Sequence, residues 1–363
     1  MDNSKRRKLH DGSSSSGHGG HGGTSAASST ALFNTPSVDE YSKITRIGEG
    51  TYGDVYAARC KRTGRLVALK RIILHNERQD GFPITSLREI ATLRRAASCA
   101  HVVQLLDVVV GQQHKGVFLV FEYCEHDLSS LLRAHRAAGR PGSPFSESEV
   151  KTLALQLLRG LAFLHDSSYI IHRDIKLSNL LYDNRGQLKI ADFGLARLFP
   201  ARSNQPLMTP TVVTLWYRAV ELLLGAADYG CAIDVWAAGC VMGELLLGEP
   251  LMDGDGERDQ LDKIFRLLGA PSARIWPEVL RMPAVAAGTV NLRREQERYP
   301  YNNLNVVFPK MHDDGRDLVC MMLALDPKKR IAAAGCLRHD YFFSTPFPKE
   351  QDLMPTFKSG HAL

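Results

Sequence analysis

The sequence predicts a two-lobed α+β fold in which a small β-rich lobe precedes a larger, mainly helical lobe. At 363 residues the chain is longer than the roughly 100–200 residues of a usual single core. Between Tyr41 and Phe121, β-branched and aromatic residues surround glycine-rich turns, which is typical of strands. After about Cys124 the apolar residues recur at helical spacing. The architecture is therefore expected to change near Cys124.

The elements follow one another in a simple order. Strands are predicted in YSKITRIGEGTYGDVYAARC and GRLVALKRIIL, and again in VVQLLDVVV and GVFLVFEYC. A helix is predicted between these pairs, opened by Gly81 and Pro83, because proline fits the first helical turn. The segment SEVKTLALQLLRGLAFLH predicts the first long helix of the second lobe, with an apolar stripe made of Val150, Leu153, Leu157, Leu158, Leu161 and Leu164.

The composition excludes several classes of protein. A hydrophobic share of 44% and a charged share of 23% are those of a soluble globular protein, and no apolar run approaches the ~18–20 residues of a membrane span. The polar N-terminus predicts no secretory signal, and the seven scattered cysteines predict reduced thiols inside the cell. The net charge of +6, from 45 basic and 39 acidic residues, does not indicate nucleic-acid binding.

Both ends of the chain differ from its middle. Residues 1–40 are rich in serine, glycine and histidine and are predicted to be a disordered extension. The run from Lys5 to Lys8 is either a nuclear import signal or a solvated charge run, and the histidines near residue 20 are read as spacer. The tail at 344–363 contains prolines and little pattern, so it is expected to lie on the surface.

The helix in GFPITSLREI has an unusual distribution of charged and apolar side chains. Wound at about 100° per residue, it puts Leu93 and Ala96 on the side of Glu89, with Leu87 on the opposite side. If the face of Leu93 packs on the protein, the carboxylate of Glu89 points inward and Leu87 faces solvent. This arrangement predicts an inner partner for Glu89 and an outer cover for Leu87.

A partner for Glu89 lies in the strand VALK. Lys70 could be an edge-strand lysine with its ammonium in water. A lysine that grips nucleotide phosphates needs an anion to hold it, and Glu89 is the candidate. The turn IGEGTYGDV supplies Gly48, Gly50 and Gly53 between two strands; a plain hairpin is the alternative, but the following strand favours a loop that covers phosphates.

The run IIHRDIKLSNLL carries the most specific pattern. Asp174 would accept or orient the proton of an attacking hydroxyl, Lys176 would balance charge on the transferred phosphoryl group, and Asn179 would hold a metal ion. Asp192, in the sequence DFG, would bind Mg²⁺ that bridges phosphates, a task suited to oxygen ligands. DFG alone is a common turn sequence, but the two motifs in this order point to one chemistry.

With these motifs, the chain from Tyr41 to Phe343 resembles the eukaryotic protein kinases of the CMGC group. It resembles specifically the cyclin-dependent kinases of the PITSLRE type, whose signature is Pro83–Glu89. The segments EHDLSSLL, MTPTVVTLWYRA, ELLLG, IWPEV and PYNNL resemble that subgroup as well. The resemblance implies a bilobal kinase domain at 41–343, with an N-lobe at 41–121 containing one regulatory helix, a hinge at 122–127 and a C-lobe at 128–343.

The resemblance also implies an ATP-dependent serine/threonine kinase that uses Mg²⁺. The backbone of Glu122 and Cys124 would hold adenine, Asp127 would meet the ribose, and Phe121 would close the back of the pocket. Cys124 alone would more often be an inert small hydrophobe, so only its backbone is assigned. The remaining implied nucleotide contacts are Ile47, Gly48, Glu49, Gly50, Thr51, Tyr52, Gly53, Val55, Ala68, Lys70, Glu89, Leu181 and Asp192.

Regulatory and substrate residues are implied in the same way. Thr209 matches the threonine phosphorylated by an activating kinase, with Arg88, Arg173 and Arg197 as the cations around its phosphate. Thr51 and Tyr52 match inhibitory phosphorylation sites, or are ordinary loop residues. The pocket that prefers proline after the target residue is matched by Val212, Val213 and Arg218, which predicts Ser/Thr-Pro substrates.

The outward apolar face of the helix then implies a cyclin, which in relatives covers Leu87 and Ile90. The alternative is a cover made by the chain's own N-terminal arm, which has few apolar residues. By resemblance we expect an L-type cyclin and a role in transcription, pre-mRNA splicing or the cell cycle. The expected location is the nucleus and also the cytoplasm, and no membrane or direct nucleic-acid partner is expected.

The chain departs from the family pattern at one notable position. The usual Ala-Pro-Glu is Ala219-Val220-Glu221 here, which puts the course of residues 217–222 in doubt, although Glu221 can still pair with Arg330. A pseudokinase scaffold is the rival interpretation, and the presence of Lys70, Asp174 and Asp192 argues against it. A mitogen-activated kinase would carry a TxY pair where this chain has Thr209-Pro210-Thr211.

Overall fold

The computed structural model describes residues 36–50, 53–72, 83–111, 116–199 and 214–358. Five residues to which the sequence assigns roles lie outside the described residues, namely Thr51, Tyr52, Thr209, Val212 and Val213. Residues 1–35 of the predicted disordered extension also lie outside them.

The prediction of disorder over residues 1–40 is wrong for its last five residues. Ser37 accepts a hydrogen bond from the Asp39 backbone and caps a 3₁₀ helix at Val38–Glu40. The Pro36 carbonyl accepts from the Val110 backbone at 3.1 Å, and Val38 packs against an apolar cluster of the first lobe. These contacts offset the entropy of ordering the segment, which its composition alone does not reveal.

The first lobe is built on an antiparallel five-stranded sheet in the order β1-β2-β3-β5-β4. Its strands are β1 (Tyr41–Gly50), β2 (Gly53–Cys60), β3 (Leu66–Ile72), β4 (Leu105–Val110) and β5 (Val117–Glu122). Successive side chains of a strand point to opposite faces of the sheet, so the apolar residues are divided between the two faces. Phe118 and Val120 join one small cluster, whereas Leu119 and Phe121 join the main core.

Helix α1 (Ile84–Arg95) has the orientation that the sequence predicts for Glu89 and Leu87, but Ile90, which is expected on the outward face, is half-buried and packs against the main core. Glu89 is 3% exposed and Leu93 is buried, whereas Leu87 is 52% exposed. The helix begins after Pro83, as the turn signals indicate. It packs on the segment Phe193–Leu195 and on strand β10 (Arg197–Leu198), so it links the first lobe to the site in the second lobe.

The second lobe is mainly helical around one core. Helix α3 (Glu147–Ala162) begins with a capping box in which Ser146 and Glu149 exchange hydrogen bonds, and its predicted apolar stripe is buried. Helix α5 (Ala232–Leu247) is buried nearly all round and packs on α3 and on α10 (Asp313–Met322). The helices are α2 (Leu128–Ala137), α3 (Glu147–Ala162), α4 (Val220–Leu223), α5 (Ala232–Leu247), α6 (Glu257–Leu268), α7 (Pro283–Ala286), α8 (Leu292–Arg298), α9 (Leu304–Val307), α10 (Asp313–Met322) and α11 (Ala333–Cys336).

Two small sheets form the floor beneath the first lobe. One has the order β6-β8-β9 and the other pairs β7 with β10. Their strands are β6 (His126–Asp127), β7 (Ile170–Ile171), β8 (Leu180–Tyr182) and β9 (Leu188–Ile190). The loops between these strands carry the motifs HRDIKLSN and DFG, so the sheets fix the two motifs side by side.

The tail after Phe343 is more closely packed than its sequence suggests. It runs over the second lobe, forms a 3₁₀ helix at Gln351–Leu353 and buries Met354. All seven cysteines are free thiols. No helix in the described part of the chain has the length and apolar character needed to cross a membrane.

Candidate active site

Residues 122–127 join the five-stranded sheet to the β6-β8-β9 sheet, and we call the region between the two sheets the cleft. Val55 lies opposite Lys70 in the first sheet and Ala68 lies opposite Phe121. In the second sheet, Leu181 lies opposite Asp127. Four apolar side chains of these strands are only half-buried, namely Ile47, Val55, Ala68 and Leu181. Half-buried apolar groups facing each other across a hinge can sandwich a flat ring.

Gly48 lies at the start of the glycine-rich turn. A Cβ added there would meet no atom of the described residues within 4 Å, so packing against them does not require glycine at this position. Gly53, at the other end of the turn, has a φ of 144°, a conformation that side chains disfavour. Gly48 and Gly53 therefore present bare backbone, which is what close approach to phosphates needs.

Lys70 is held at the inner end of the cleft by two carboxylates. Its Nζ lies 2.6 Å from Glu89 Oε1 and 3.3 Å from Asp192 Oδ1. Burial lowers the pKa of Lys70, but Glu89 and Asp192 overcome this effect and hold the pKa above its ordinary value. The predicted contact of Lys70 with Glu89 is thus present, and the ammonium stays charged.

The hinge is braced by residues that sequence reasoning missed. Glu122 Oε1 accepts from the Gln104 backbone at 2.8 Å and lies 3.0 Å from Lys189 Nζ. Burial raises the pKa of the Cys124 thiol to about 12, which agrees with assigning only its backbone. Asp127 Oδ1 accepts from the Ser130 backbone at 2.8 Å and caps α2, so one oxygen of this carboxylate has a structural role.

The residues that the sequence predicts to be catalytic meet around Asp174. Lys176 Nζ donates to Asp174 Oδ2 at 2.7 Å, and Asn179 Nδ2 donates to the same oxygen at 2.9 Å. Thr214, which sequence reasoning missed, donates to Asp174 Oδ1 at 3.1 Å and accepts from Lys176 at 3.1 Å. Three donors converge on one carboxylate, so its orientation is fixed before any substrate binds.

A second missed residue supports this loop from below. Asp234, in α5, accepts from the backbones of His172 at 2.8 Å and Arg173 at 2.9 Å. Arg173 has a φ of 69°, a conformation that costs a non-glycine residue of order 1–3 kcal/mol. Burial raises the pKa of Asp234, but His165 and the backbone donors overcome it and lower the pKa. The ionised carboxylate holds the loop in its strained course.

Asp192 and Asn179 form the donor set that suits a divalent cation. The Ala191 backbone donates to the Asn179 carbonyl at 2.9 Å, which brings the two side chains to the same loop junction. Burial raises the pKa of Asp192, but Lys70 and His172 outweigh it and the pKa is lowered. The NH₂ group of Asn179 donates to Asp174. The side-chain oxygen of Asn179 can therefore accept a ligand. Two oxygen ligands from the protein, completed by phosphate oxygens, fit Mg²⁺.

The phenylalanine of DFG is fully buried. Phe193 is 0% exposed, and its ring lies 4.8 Å from that of His172 in a T-shaped contact. Asp192 has a φ of 63°. With Phe193 anchored in the core, the chain turns Asp192 toward Lys70 rather than away from it.

Two of the three predicted phosphate-binding arginines converge. Arg173 Nε donates to the Leu195 carbonyl at 2.8 Å, and Arg197 Nη1 reaches the same oxygen at 3.4 Å. Arg173 Nη1 also donates to the Tyr229 hydroxyl at 2.7 Å. Arg88, the third, is exposed on α1. In the described part of the chain, the Arg173 guanidinium is buried and its hydrogen bonds go to a neutral carbonyl and a neutral hydroxyl.

The predicted substrate residue Arg218 is a buried side chain with an acidic neighbour. Its Nη1 lies 2.7 Å from Glu257 Oε1 at the start of α6. Next to it, the Trp216 indole donates to the Gly254 carbonyl at 3.1 Å. These contacts join the segment after Thr214 to α6 and to Gly254 just before it, so the position of the segment is fixed.

The departure at Val220 leaves the turn intact. Val220 is fully buried and begins α4, with Ala219 as its N-cap. Glu221 and Arg330 make two hydrogen bonds, at 2.7 and 2.8 Å, as predicted. Valine therefore supplies the apolar volume, and the bidentate ion pair fixes the course that the sequence left in doubt.

Comparison with known proteins gives a consistent result. A family model described as protein kinase domain matches residues 41–342. Cyclin-dependent kinase 10 of Rattus norvegicus is 48% identical over 334 residues, covering 92% of this chain and 88% of that protein. The human protein of that name is 48% identical over 321 residues, covering 88% of this chain and 84% of that protein.

A plant relative is much longer than this chain. Cyclin-dependent kinase G-2 of Oryza sativa subsp. indica is 47% identical over 339 residues. The match covers 90% of this chain but only 45% of that protein.

Proposed function

This chain belongs to the protein kinase domain family, and on that premise we propose that it is an active cyclin-dependent serine/threonine kinase. It transfers the γ-phosphate of ATP to serine or threonine residues that precede proline. The observation that carries the proposal is the contact of Lys70 with Glu89 at 2.6 Å and with Asp192 at 3.3 Å. These residues come from β3, α1 and the DFG loop. Burying three charged side chains costs free energy, and such clusters are typical of binding or catalytic sites.

The residues of the site divide the work of phosphoryl transfer. Lys70 holds phosphate oxygens, and Asp174 orients the substrate hydroxyl and accepts its proton. Lys176, at 2.7 Å from Asp174, offsets the charge that develops on the transferred group. Asn179 and Asp192 would hold Mg²⁺, which when bound would neutralise charge on the phosphates. A pseudokinase would not need these groups to converge.

A cyclin is the partner proposed for the outer face of α1. Ile84 and Leu87 are 63% and 52% exposed, on the face opposite to Glu89. Two exposed apolar side chains on a helix that carries a catalytic carboxylate are a surface for a partner. Covering this face holds α1 against β10 and keeps Glu89 within reach of Lys70. The names of the relatives, which include cyclin-dependent kinase 10 and kinase G-2, support this partner.

Phosphorylation of Thr209 is the proposed switch. The guanidinium groups of Arg173 and Arg197 meet at the Leu195 carbonyl, where a phosphate dianion would form charge-assisted hydrogen bonds with both. Arg88 on α1 would supply a third contact and couple the phosphate to the helix. Phosphorylation of Thr51 or Tyr52 in the glycine-rich turn would instead oppose the phosphates of ATP.

Substrate choice and biological setting are proposed from the resemblance. By resemblance we assign Val212, Val213 and Arg218 to the pocket for proline after the target residue, and proline suits such a pocket because proline has no N–H to leave unpaired. Within the cyclin-dependent kinases we assign the chain to the PITSLRE type, with an L-type cyclin. The proposed setting is transcription, pre-mRNA splicing or the cell cycle, in the nucleus and also in the cytoplasm.

Reconstitution tests the function directly. The full chain with an L-type cyclin, an activating kinase, Mg²⁺ and ATP is expected to phosphorylate a Ser-Pro peptide and to discriminate against the matched Ser-Ala peptide. Thr209→Ala in the same complex should lower the rate roughly tenfold or more, because the arginines lose a dianion. Thr211→Ala, in the same segment, is the matched control.

Three results of that experiment would contradict the proposal. Equal rates on the two peptides would refute the proposed proline specificity. Equal rates with and without cyclin would refute the proposed partner. A wild-type rate for Thr209→Ala would refute the proposed switch.

Leu87→Glu tests the partner surface without touching the cleft. Burying a charge in an apolar interface and losing one leucine contact should weaken cyclin binding by about 2–4 kcal/mol, roughly 30-fold or more. The melting temperature of the isolated chain should not change, because Leu87 is 52% exposed. Val306→Glu, at a position 69% exposed on α9, is the control, and calorimetry of cyclin binding is the measurement. Equal affinity for both variants would show that the cyclin does not cover Leu87.

A further inference from the structure

The tail at 344–358 is fastened to the second lobe along helix α3. Its backbone accepts hydrogen bonds from three side chains of this helix, and its Lys349 forms an ion pair with Glu149 at 2.8 Å. The three hydrogen bonds are Lys151 Nζ to the Ser344 carbonyl at 2.8 Å, Ser148 Oγ to the Phe347 carbonyl at 2.6 Å and Thr152 Oγ1 to the Lys349 carbonyl at 2.6 Å. The tail therefore follows one defined path.

The turn between β8 and β9 is shaped to receive this path. Gly186 has a φ of +76°, and a Cβ built on it would lie 2.8 Å from Met354 Cβ and closer still to the Gln351 carbonyl. Both the backbone conformation and the lack of space require glycine. Gln156 donates to the Gly186 carbonyl at 2.9 Å, which holds the turn against α3.

The end of the tail is bonded to a residue that also contacts the hinge. Asn184 accepts from the Phe357 backbone at 2.9 Å through Oδ1 and donates to the Phe357 carbonyl at 3.0 Å through Nδ2. Tyr182 donates to the Pro355 carbonyl at 2.6 Å. The backbone of Asn184 in turn donates to Glu125 Oε2 at 3.3 Å. Asn184 thus connects the tail to residue 125 of the hinge.

The ring of Phe357 lies under the strand that ends the hinge. Its centroid is 5.8 Å from the ring of His126, 5.6 Å from Phe145 and 6.0 Å from Tyr182, all in T-shaped contacts. His126 and Asp127 form β6, which pairs with Tyr182 and Leu181 of β8. Phe357 therefore packs against both strands that present Asp127 and Leu181 to the cleft.

We propose that residues 354–358 are a positioning element for nucleotide binding. Phe357 and its bonds to Asn184 hold β6 against β8, so that Asp127 and Leu181 keep the spacing that the ribose and base require. The tail touches no nucleotide and acts through His126 and Glu125. This inference rests on the proposed function only in taking the cleft to be an ATP site.

Phe357→Ala in the full chain is the test. The dissociation constant for a fluorescent ATP analogue is expected to rise roughly three- to tenfold, the effect of losing about one well-packed aromatic contact. In the cyclin complex, KM for ATP should rise by the same factor, whereas kcat at saturating ATP should remain close to the wild-type value. Hydrogen exchange at residues 122–127 should become faster. Phe357→Tyr keeps the ring and should restore most of the affinity.

Two further variants separate this effect from a general loss of stability. Phe347→Ala, at a position 60% exposed in the same tail, is the control and should bind the analogue with wild-type affinity. Asn184→Ala keeps the ring but removes two hydrogen bonds, and it should also raise the dissociation constant. All measurements are made well below the melting temperature of each variant, with circular dichroism confirming that each is folded.

The outcomes distinguish the two proposals. If the wild-type chain binds the analogue and Phe357→Ala binds it equally well, the tail does not position the site and this inference is wrong. A fall in kcat with unchanged KM would also overturn it. If the wild-type chain binds no nucleotide, the proposed function itself fails.

Discussion

Asp174→Asn is expected to reduce phosphotransfer by roughly 100- to 10,000-fold, the range that a positioned general base supplies. The carboxylate accepts from Lys176 at 2.7 Å, from Asn179 at 2.9 Å and from Thr214 at 3.1 Å. An asparagine has one acceptor oxygen in place of two and sets an NH₂ group against one of these donors. It also cannot accept the proton of the substrate hydroxyl. The rate falls for both reasons, and binding of the ATP analogue should persist because Lys70 and the hinge are unchanged.

The measurement is the single-turnover rate in the reconstituted complex, with circular dichroism and the melting temperature as checks on folding. Asp166→Asn is a suitable control, because Asp166 is exposed shortly before the same loop. That variant should retain the wild-type rate. A turnover by Asp174→Asn that matches the control would refute the role assigned to Asp174.

The orientation of α1 illustrates what local sequence can predict. The alternation of Glu89 and Leu87 around a helix depends only on helical geometry and on which face carries Leu93 and Ala96. The structure has Glu89 buried and Leu87 exposed. The catalytic loop is similar, because Asp174, Lys176 and Asn179 lie within six residues and are joined by hydrogen bonds inside that span.

The residues that sequence reasoning missed act over long separations. Thr214 reaches Asp174 across 40 residues, and Asp234 reaches His172 across 62. Neither belongs to a short motif whose spacing indicates the contact. A signal for Asp234 did exist, because a carboxylate inside the apolar helix AIDVWAAGC must find donors or carry a high cost of burial. Which donors it finds depends on tertiary packing and could not be read from the helix alone.

The tail was underestimated for a related reason. Its prolines and lack of periodicity indicate no regular element, and only a short 3₁₀ helix is present. Its order comes from side chains of α3 and β8 that bond to its backbone. When other parts of the chain hydrogen-bond to the backbone of a segment, the segment can be ordered without any sequence pattern of its own. Residues 36–40 follow the same rule, since Val110 pairs with Pro36.

Glu221→Ala is expected to lower the free energy of unfolding of the second lobe by about 3–5 kcal/mol, the cost of leaving one member of a buried ion pair alone. Arg330 would keep its bonds to the carbonyls of Ala324 and Ala232 and its position 4.9 Å over Trp236, but its charge would lose a bidentate partner. Such a loss is a large part of the roughly 5–15 kcal/mol that stabilises a typical protein. Urea unfolding followed by tryptophan fluorescence measures it, because Trp236 lies at the pair.

The double variant Glu221→Ala/Arg330→Met decides whether the unpaired charge is the cause. If it is, removing the guanidinium as well should recover a substantial part of the stability, since methionine fills apolar space without a charge. If the loss instead reflects the missing side-chain volume of Glu221, the double variant should be less stable than either single one. Glu278→Ala removes a half-exposed carboxylate 2.7 Å from the exposed Lys328 and should leave the urea midpoint unchanged. Glu221 directly follows Val220, which replaces the usual proline. The same experiment therefore tests whether the ion pair fixes the end of this segment in the absence of that proline.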